Sequence, residues 1–545
     1  MTESGRVRAI GLGWGEDAKK PPIRVILIGG FLALVAAVAM LANVEEPARY
    51  IVSRAEGSAE IVAEAVHDVG GEVTTELGII DGVVAVLTES QASALSRRPS
   101  VTAVVADSTV VLATNRWESG SASDEGALHR ITDQVIGART YWDRGHTGKG
   151  VDVAVIDSGL TPVVGLDDPK RVVNGPDLSL DSQSPTLVHL DAFGHGTHLM
   201  SIMAGADSPP DRPGKDNAAY RGVAPGARVV SVKVADAIGR ADVSQVIAAI
   251  DWVVQHRNDG DLDIRVLLMA FGTDGTQDPL IDPLSYAVEV AWRKGIVVVV
   301  ASGNDGISQP LRNPAVNPYV ISVGALQTKG TPGTGDDSVL SFSNCGVRGR
   351  TVDVFAPGKS VLGLRVPGSF VDAVAPKAVV GDRLTRGTGT SQAAAIVAGA
   401  AALVVDHRPD LGPDQVKALL TGSSRSVKSA KGACAGAGLL DLSAAYRLPT
   451  PKSATQSWPV GSGTGSLEAA RGTHHVLDDD VPLTGEVDIF GHGWDPATWA
   501  GNSWSGNSWS GGNWNGNSWS GNSWSGNSWS GNSWSGNSWS VAVWG

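Results

Sequence analysis

Between residues 150 and 445, short apolar runs alternate with helical patterns, and this alternation is the strongest constraint on the fold. The runs are VDVAVID at 151–157, RVVSVKV at 228–234, IRVLLMAF at 264–271 and GIVVVVASG at 295–303. Such runs are typical of strands buried on both faces. The segments 244–257 and 284–295 have the spacing of helices that lie between them. The sequence therefore predicts an α/β domain with a central parallel sheet flanked by helices.

Four polar residues lie at strand ends or helix starts, where α/β domains usually form their binding or catalytic sites. Asp157 ends the first run in AVIDSG, and Asn304 follows the fourth in VVVVASGN. Binding sites of parallel sheets form at the carboxyl ends of the strands. Two glycine-rich stretches, FGHGTHLMSIMAG and RGTGTSQAAAIVAG, place His195 and Ser391 at predicted helix starts.

These four residue types are the ones that nucleophilic catalysis by serine requires. The hydroxyl needs a base to take its proton, the base needs an orienting carboxylate, and the developing oxyanion needs donors. Each residue also has a simpler interpretation: a strand-end turn for Asp157, a buried hydrogen-bonded histidine for His195, a turn former for Asn304 and a helix cap for Ser391.

Five motifs in order, DSG, GHGTH, GVAPGA, ASGN and GTS, resemble the subtilisin-like serine proteases, the subtilase family, over about residues 128–447. The resemblance implies a serine endopeptidase in which Asp157 orients His195 and His195 is the general base. Ser391 would attack the scissile carbonyl. The oxyanion would lie between the Asn304 side-chain amide and the Ser391 backbone N–H.

The resemblance also implies two substrate-binding segments. They are Ala270, Phe271 and Gly272, and Ala301, Ser302 and Gly303. The first would pair with the substrate backbone as an added strand, and the second would wall the specificity pocket. Arg312 aligns near the pocket floor, where it would favour acidic or polar side chains, but a solvent-exposed arginine is the simpler interpretation.

The residues after the nucleophile depart from the family's pattern of Met, Ala, a small residue, Pro and His. Here they are Gln392, Ala393, Ala394, Ala395 and Ile396. Because alanine is an excellent helix former, this run still predicts a helix that presents Ser391 at its N-terminus.

No cofactor is expected to take part in the chemistry, and no metal ligand is assigned. His198 lies three residues after His195, but without a glutamate between them or a third ligand we expect a structural role. Subtilases often bind structural calcium. Asp167 and Asp168 could contact such an ion, although a solvated turn is the simpler expectation.

Residues 48–107 follow a β-α-β-β-α-β pattern, which predicts a small ferredoxin-like α+β domain. Its position before a subtilase resembles the family's inhibitory, folding-assisting propeptide. The following processing linker, 108–127, overlaps the stretch 114–129, which is polar and rich in small residues, as a processing site requires. The alternative is a permanent accessory domain.

The N-terminus carries an export signal. Residues 1–24 are predicted to be cytoplasmic, and residues 25–44 contain an uncharged stretch from Val25 to Ala42 at the lower limit for spanning the ~30 Å hydrocarbon layer. Basic residues upstream predict that everything after the stretch is exported. Ala37 to Ala39 resembles a signal-peptide cleavage site, so a signal peptide and a retained anchor both stay open.

The C-terminal end differs in composition from the rest of the chain. Residues 448–493 are predicted to be a linker, and residues 494–545 form a tail of GNSWS repeats that holds 11 of the 17 tryptophans. Either a flexible tail or a β-solenoid fits the repeat, and the flexible tail is favoured. Its tryptophans could attach to cell-envelope polysaccharide or to a membrane surface.

The net charge limits the possible partners, and the two cysteines limit the possible covalent links. With 43 basic and 56 acidic residues the formal charge is −13, which argues against a general nucleic-acid binder. Cys345 and Cys434 form one disulfide or stay as two buried thiols.

The expected partners are peptide or protein substrates and the chain's own propeptide. The competing hypothesis is a catalytically degenerate surface-binding protein whose tail attaches to the envelope.

Overall fold

In the computed structural model the described residues are 47–53, 59–77, 82–101, 103–106, 124–207, 219–347, 349–435, 437–452, 454–473, 475–478, 481–489, 491 and 493–496. The predicted membrane segment at 25–44, most of the linker at 108–127 and nearly all of the repeat tail lie outside them. Within the described ranges, no helix is both long and apolar enough to cross a bilayer.

The first described unit is a four-stranded antiparallel sheet with two helices. Its elements are β1 (Ala48–Ser53), α1 (Ala59–Asp68), β2 (Glu72–Leu77), β3 (Gly82–Leu87), α2 (Glu89–Leu95) and β4 (Ala103–Ala106). The strands lie in the order β2-β3-β1-β4. Val52, Val83 and Leu87 of the sheet are buried with Val62 and Val66 of α1. The order of elements in this unit is the one that the sequence pattern indicates.

The larger unit begins near Leu128 and contains a central sheet between two layers of helices. Its helices are α3 (Leu128–Arg130, continued by a π-helix at Ile131–Val135), α4 (Arg139–Trp142), α5 (His195–Ala204), α6 (Val243–Gln255), α7 (Pro283–Arg293), α8 (Phe370–Val374), α9 (Thr390–His407), α10 (Pro413–Gly422) and α11 (Leu442–Arg447). Its strands are β5 (Asp152–Asp157), β6 (Val172–Asp177), β7 (Arg228–Lys233), β8 (Ile264–Met269), β9 (Val297–Ala301), β10 (Ile321–Gln327), β11 (Ser338–Val339), β12 (Gly346–Val347), β13 (Arg350–Thr351), β14 (Val354–Pro357), β15 (Val361–Leu364), β16 (Val379–Val380) and β17 (Leu384–Gly387).

The central sheet has the strand order β11-β10-β9-β8-β5-β7-β6, with β14 also beside β10. Each neighbouring pair is parallel except β10 with β11. The predicted α/β fold with a central, mainly parallel sheet is therefore confirmed. Because β5, β8 and β9 run the same way, their carboxyl ends meet at one edge of the sheet.

Helix α9 passes through the middle of the domain. Its residues from Thr390 to Val405 are all buried, and it packs against α5 and against strands β8, β9 and β10. A helix that is apolar on every side is typical of such a buried position. The N-terminus of α9 therefore has a fixed place relative to the edge of the sheet where the chemistry is expected.

The prediction that residues 448–493 form a linker is wrong. The described part of this segment holds α12 (Leu467–Arg471), β18 (Leu477–Asp478) and β19 (Val481–Pro482). Leu467 and Ala470 are buried in the main hydrophobic core. Trp494, predicted as the first residue of the tail, is also buried there at 8% exposure. The segment has the glycine, serine and threonine content typical of linkers, but a few apolar residues within it are buried in the core and hold it in place.

Cys345 and Cys434 form a disulfide across a sequence separation of 89 residues. Their Cα atoms lie 4.9 Å apart, within the usual range for this bond. Of the two alternatives for the cysteines, the structure therefore has the bonded pair, which joins the start of β12 to the segment between α10 and α11.

Candidate active site

Asp157 and His195 meet at the carboxyl edge of the sheet. Asp157 is the last residue of β5, and His195 is the first residue of α5. The Oδ1 atom of Asp157 lies 2.8 Å from Nδ1 of His195. The two side chains are only 0% and 1% exposed. A carboxylate bound to Nδ1 leaves Nε2 as the ring nitrogen that can take a proton.

A second carboxylate, that of Asp191, fixes the start of α5. It accepts hydrogen bonds from the backbone N–H of Gly194 at 2.6 Å and of Thr197 at 2.7 Å. It also accepts one from the hydroxyl of Ser158 at 2.8 Å. Asp191 was not predicted from the sequence, although an acidic residue just before a helix start is a usual N-terminal cap.

The surroundings of the two histidines shift their pKa values in opposite directions. Burial acts to lower the pKa of His195, but the carboxylates of Asp157 and Asp191 outweigh it and raise that pKa above its ordinary value. Burial, together with the nearby His195, lowers the pKa of His198 to about 3. The imidazolium of His195 is therefore stabilised, whereas His198 is neutral and lies among the described core residues.

Ser391 is the second residue of α9, whose first residue is Thr390. The alanine run after Ser391 is helical and buried without the proline of the family pattern. The Ser391 hydroxyl donates to the carbonyl oxygen of Ala270 at 2.9 Å. His195 Nε2 has no hydrogen-bond partner in the described part of the chain. Because α9 packs against α5, Ser391 and His195 lie near the starts of two contacting helices.

Asn304 follows β9 and is tied to the start of α9. Its Oδ1 atom accepts from the backbone N–H and from the hydroxyl of Thr390, each at 3.0 Å. Because a backbone N–H can only donate, these bonds fix which end of the amide faces Thr390. The Nδ2 atom is buried and has no partner among the described residues. The amide nitrogen of Asn304 is therefore a hydrogen-bond donor that lies beside Thr390, the residue before Ser391.

The two predicted substrate segments lie on neighbouring strands of the sheet. Ala270 and Phe271 directly follow β8 and are buried, and Ala301 ends β9 with Ser302 buried beside it. A Cβ atom added to Gly272 would lie 2.8 Å from Cβ of Arg312. One added to Gly303 would lie 2.7 Å from Cγ of the same side chain.

The expectation of a solvent-exposed Arg312 is therefore wrong, because its stem packs between these two glycines. The side chain is 21% exposed. Its guanidinium forms two hydrogen bonds with Asp305, at 2.6 and 2.7 Å. The sequence does not show this pairing, since Asp305 and Arg312 lie seven residues apart in a loop with no periodic pattern.

Asp167 and Asp168, the two residues considered for calcium, make local turn contacts. Oδ1 of Asp167 accepts from the Gly165 N–H at 3.2 Å, and Oδ1 of Asp168 accepts from the Lys170 N–H at 2.9 Å. Within the described ranges, no group of three or more His, Cys, Asp or Glu side chains is arranged to hold a metal ion. Structural calcium stays a prediction.

Comparison with known proteins agrees with the motifs. The family model described as Subtilase family matches residues 148–456. The chain is 37% identical over 305 residues to serine protease AprX of Bacillus subtilis (strain 168), covering 54% of this chain and 66% of that protein. It is 30% identical over 277 residues to minor extracellular protease Epr of the same organism, covering 51% of this chain and 35% of that protein.

Two further comparisons cover more of the chain. Subtilisin E of Bacillus subtilis (strain 168) is 29% identical over 368 residues, with 65% of this chain and 78% of that protein covered. Among solved structures, fervidolysin from Fervidobacterium pennivorans is 24% identical with a TM-score of 0.46, covering 75% of this chain and 62% of that one. The matches to AprX and Epr span less than two thirds of each of those relatives.

Proposed function

This chain belongs to the subtilase family, and from that premise we propose that it is a serine endopeptidase that hydrolyses peptide bonds through Asp157, His195 and Ser391. The observation that carries the proposal is the buried Asp157 and His195 pair at the edge of the sheet, beside the helix that presents Ser391. A buried carboxylate that holds an imidazole next to a serine at a helix N-terminus is the arrangement that activates a hydroxyl.

In the proposed reaction, the Ser391 hydroxyl leaves the Ala270 carbonyl and gives its proton to Nε2 of His195. The Ser391 oxygen forms a bond to the carbonyl carbon of the substrate. His195 then returns the proton to the leaving amine as the C–N bond breaks, and a water molecule later releases the acyl group by the same path. Asp157 keeps Nδ1 bonded throughout and stabilises the imidazolium.

The negative charge on the substrate oxygen would be stabilised by two donors at the start of α9. One is the Nδ2 amide of Asn304, which its bonds with Thr390 orient, and the other is the backbone N–H of Ser391. The N-terminus of a long helix adds a favourable electrostatic potential. Since Thr390 already holds the Asn304 amide without a substrate, this donor would need little reorganisation during the reaction.

We also propose that residues 48–107 act as an inhibitory propeptide and that cleavage within 108–127 releases the mature enzyme. The support is the β-α-β-β-α-β order, with the strand order β2-β3-β1-β4, on the N-terminal side of the family-matched region, which begins at residue 148. The rival proposal, a permanent accessory domain, predicts that the purified protein keeps this unit. N-terminal sequencing of the mature protein decides between the two.

Export is part of the same proposal. The apolar segment at 25–44 and the basic residues before it support transfer of the remainder across a membrane. One relative is named as an extracellular protease.

The repeat tail would attach the exported enzyme to cell-envelope polysaccharide or to a membrane surface. A pull-down of residues 497–545 with envelope fractions, compared with tryptophan-to-alanine variants, tests that role.

The deciding experiment compares the wild type with Ser391→Ala. A fluorophosphonate probe should label the wild type and leave Ser391→Ala unlabelled, since only an activated serine reacts. The variant should also lose peptide hydrolysis and self-processing. Ser423→Ala is a matched control, because Ser423 is a buried serine at the end of α10. A wild type that resists the probe would favour a catalytically degenerate binding protein, and self-processing by pure Ser391→Ala would contradict the role of Ser391.

A further inference from the structure

The segment between strands β15 and β17 contains the short helix α8, which packs against the residues just before His195. The Phe370 N–H donates to Ala192 O at 2.9 Å, and the Val371 N–H donates to Phe193 O at 3.0 Å. The Val371 side chain is buried at 3% exposure. Two backbone hydrogen bonds and a buried side chain therefore fix α8 beside the start of α5.

Gly194, the residue before His195, allows α8 to approach this closely. Its φ of +97° is a left-handed conformation that glycine adopts readily. An added Cβ atom would lie 2.5 Å from the hydroxyl oxygen of Ser369. That hydroxyl accepts from the backbone N–H of Asp372 at 3.3 Å and so caps α8. The packing around Gly194 thus holds α8 close to His195.

Helix α8 presents an apolar face to solvent. Phe370 and Val374 are one helical turn apart, so their side chains lie on the same side of the helix. These two residues are 41% and 59% exposed. The charged residue of α8, Asp372, is bound instead by the guanidinium of Arg365, with one contact of 2.9 Å. The side chains that α8 offers to a ligand are therefore apolar.

Phe193 connects this apolar face to His195. Its ring is stacked on the ring of Phe370, with centroids 5.7 Å apart and planes at 21°. The centroid of the Phe193 ring also lies 6.2 Å from that of the His195 ring, with planes at 56°. Both separations are within the range of aromatic contacts. Phe193, Phe370 and Val374, which we call the α8 apolar surface, thus form a strip that begins beside His195.

The chemistry of His195 indicates which part of a peptide would reach this surface. In the proposed reaction Nε2 of His195 gives its proton to the leaving amine, so that nitrogen must come within hydrogen-bond distance of the ring. The amine belongs to the residue after the scissile bond. The residues before that bond would pair with Ala270, Phe271 and Gly272, which follow a different strand, β8. The side chains nearest to α8 would therefore come from residues after the bond.

Resting on the proposed peptidase function, we infer that the α8 apolar surface binds an apolar side chain of the substrate on the C-terminal side of the scissile bond. Contact with such a side chain removes from water the exposed apolar area of Phe370 and Val374. A charged side chain would lose hydration there without gaining a partner, because the α8 residues that face solvent, Phe370, Ala373 and Val374, are apolar. The surface thus selects among leaving groups.

The first test measures how the acyl-enzyme divides between water and an added amine. The purified protein is given a peptide ester with a constant acyl part, together with the amide of leucine, serine or aspartate. The amine nitrogen attacks the acyl carbon in place of water, and the Ser391 oxygen leaves with the proton that His195 returns. The ratio of the two products therefore reports binding on the leaving-group side alone. We expect leucine amide to be preferred over serine amide, and Phe370→Ser should reduce that preference by about fivefold, the scale of a partly buried apolar contact.

A second variant and a matched control guard against loss of folding. Val374→Ser should reduce the leucine preference in the same direction, because Val374 lies one turn from Phe370. Val347→Ser, the same change at an exposed valine of β12, should keep it. Thermal unfolding midpoints show that the compared variants are folded. An unchanged preference in both α8 variants would overturn the inference, and so would a Phe370→Ser variant that only dissociates a dimer in sedimentation, since the surface would then contact a second copy.

Binding without hydrolysis separates this inference from the proposed function. Short fluorescent peptides with leucine or aspartate at a free N-terminus represent the product released on the leaving-group side. The wild type should bind the leucine peptide more tightly in fluorescence anisotropy, and Phe370→Ser should weaken that difference. Equal binding of the two peptides would overturn the inference even if the wild type is an active peptidase. A leucine preference that depends on Phe370, in a wild type that hydrolyses no peptide, would support the surface and refute the peptidase function.

Discussion

The carboxylate of Asp157 contacts His195 Nδ1 at 2.8 Å, and burial and this contact act on the pKa of His195 in opposite directions. Burial lowers that pKa, whereas the carboxylates of Asp157 and Asp191 raise it by more. Since the general base must be neutral, the proposed activity should rise with pH through a pKa above the usual histidine value.

Asp157→Asn should move the acidic limb of the kcat/KM profile to lower pH, because burial is then opposed only by Asp191. It should also lower kcat by about 10⁴, the effect of losing the orienting carboxylate in a serine triad. The measurement is a pH–rate profile with a peptide substrate. Asp259→Asn, which changes an exposed aspartate, should leave the profile unchanged. If the acidic limb of Asp157→Asn lies at the same pH as that of Asp259→Asn, the carboxylate of Asp157 does not raise the pKa of His195.

Asn304→Ala should lower kcat by about 10² to 10³ with little change in KM, because an oxyanion donor acts mainly in the transition state. Thr390→Val should lower kcat by less, since it removes the hydroxyl bond to Asn304 Oδ1 and keeps the backbone bond. Steady-state kinetics of both variants measure this order. A wild-type kcat for Asn304→Ala would remove Asn304 from the site.

Gln392→Met should stabilise the protein by about 1 kcal/mol, because a buried amide without partners is unfavourable. Gln392 is fully buried, and both polar atoms of its side chain lack a hydrogen-bond partner within the described ranges. Urea denaturation should be measured in a Ser391→Ala background so that self-cleavage does not interfere. An equal or lower unfolding free energy would show that the amide has a compensating role.

Cys345→Ser and Cys434→Ser should each reduce the free energy of unfolding by about 2–4 kcal/mol. The double variant should lose no more than either single variant, because each one already breaks the same bond. Denaturation with and without reductant provides the measurement. If reductant destabilises the double variant as much as the wild type, the effect does not come from this disulfide.

Arg471→Met should reduce the free energy of unfolding by about 3–5 kcal/mol, because it leaves the carboxylate of Asp242 buried without its cation. Combining it with Asp242→Asn should recover part of that loss, since the uncompensated charge is then removed. The double-mutant cycle is measured by urea denaturation in the Ser391→Ala background. Strict additivity of the two changes would contradict a direct pairing.

The sequence predicted the sheet and the positions of Asp157, His195, Asn304 and Ser391 because these features are local. Each strand is a continuous apolar run, and each of the four residues lies next to a strand end or a helix start. By contrast, the pairing of Arg471 with Asp242 joins residues 229 apart. No periodic pattern marks such a contact in advance.

The partial burial of Arg312 could not be predicted for a related reason. Asp305, Asp274 and the two glycines at its stem determine its environment. Asp305 comes from the loop after β9, and Asp274 comes from the loop after β8. Neighbouring loops therefore set the environment of Arg312, and their relative positions follow only from the fold.

The buried Arg471 also bears on where this protein can be shortened. A chain cut at the end of the family match, residue 456, would lack the cation that Asp242 faces and the backbone that Gln277 and Thr273 contact. We therefore expect the smallest part of the chain that folds stably to be longer than the part that matches the family model. Truncated forms of this protein should extend at least to Ile489, whose N–H donates to the Ser244 hydroxyl.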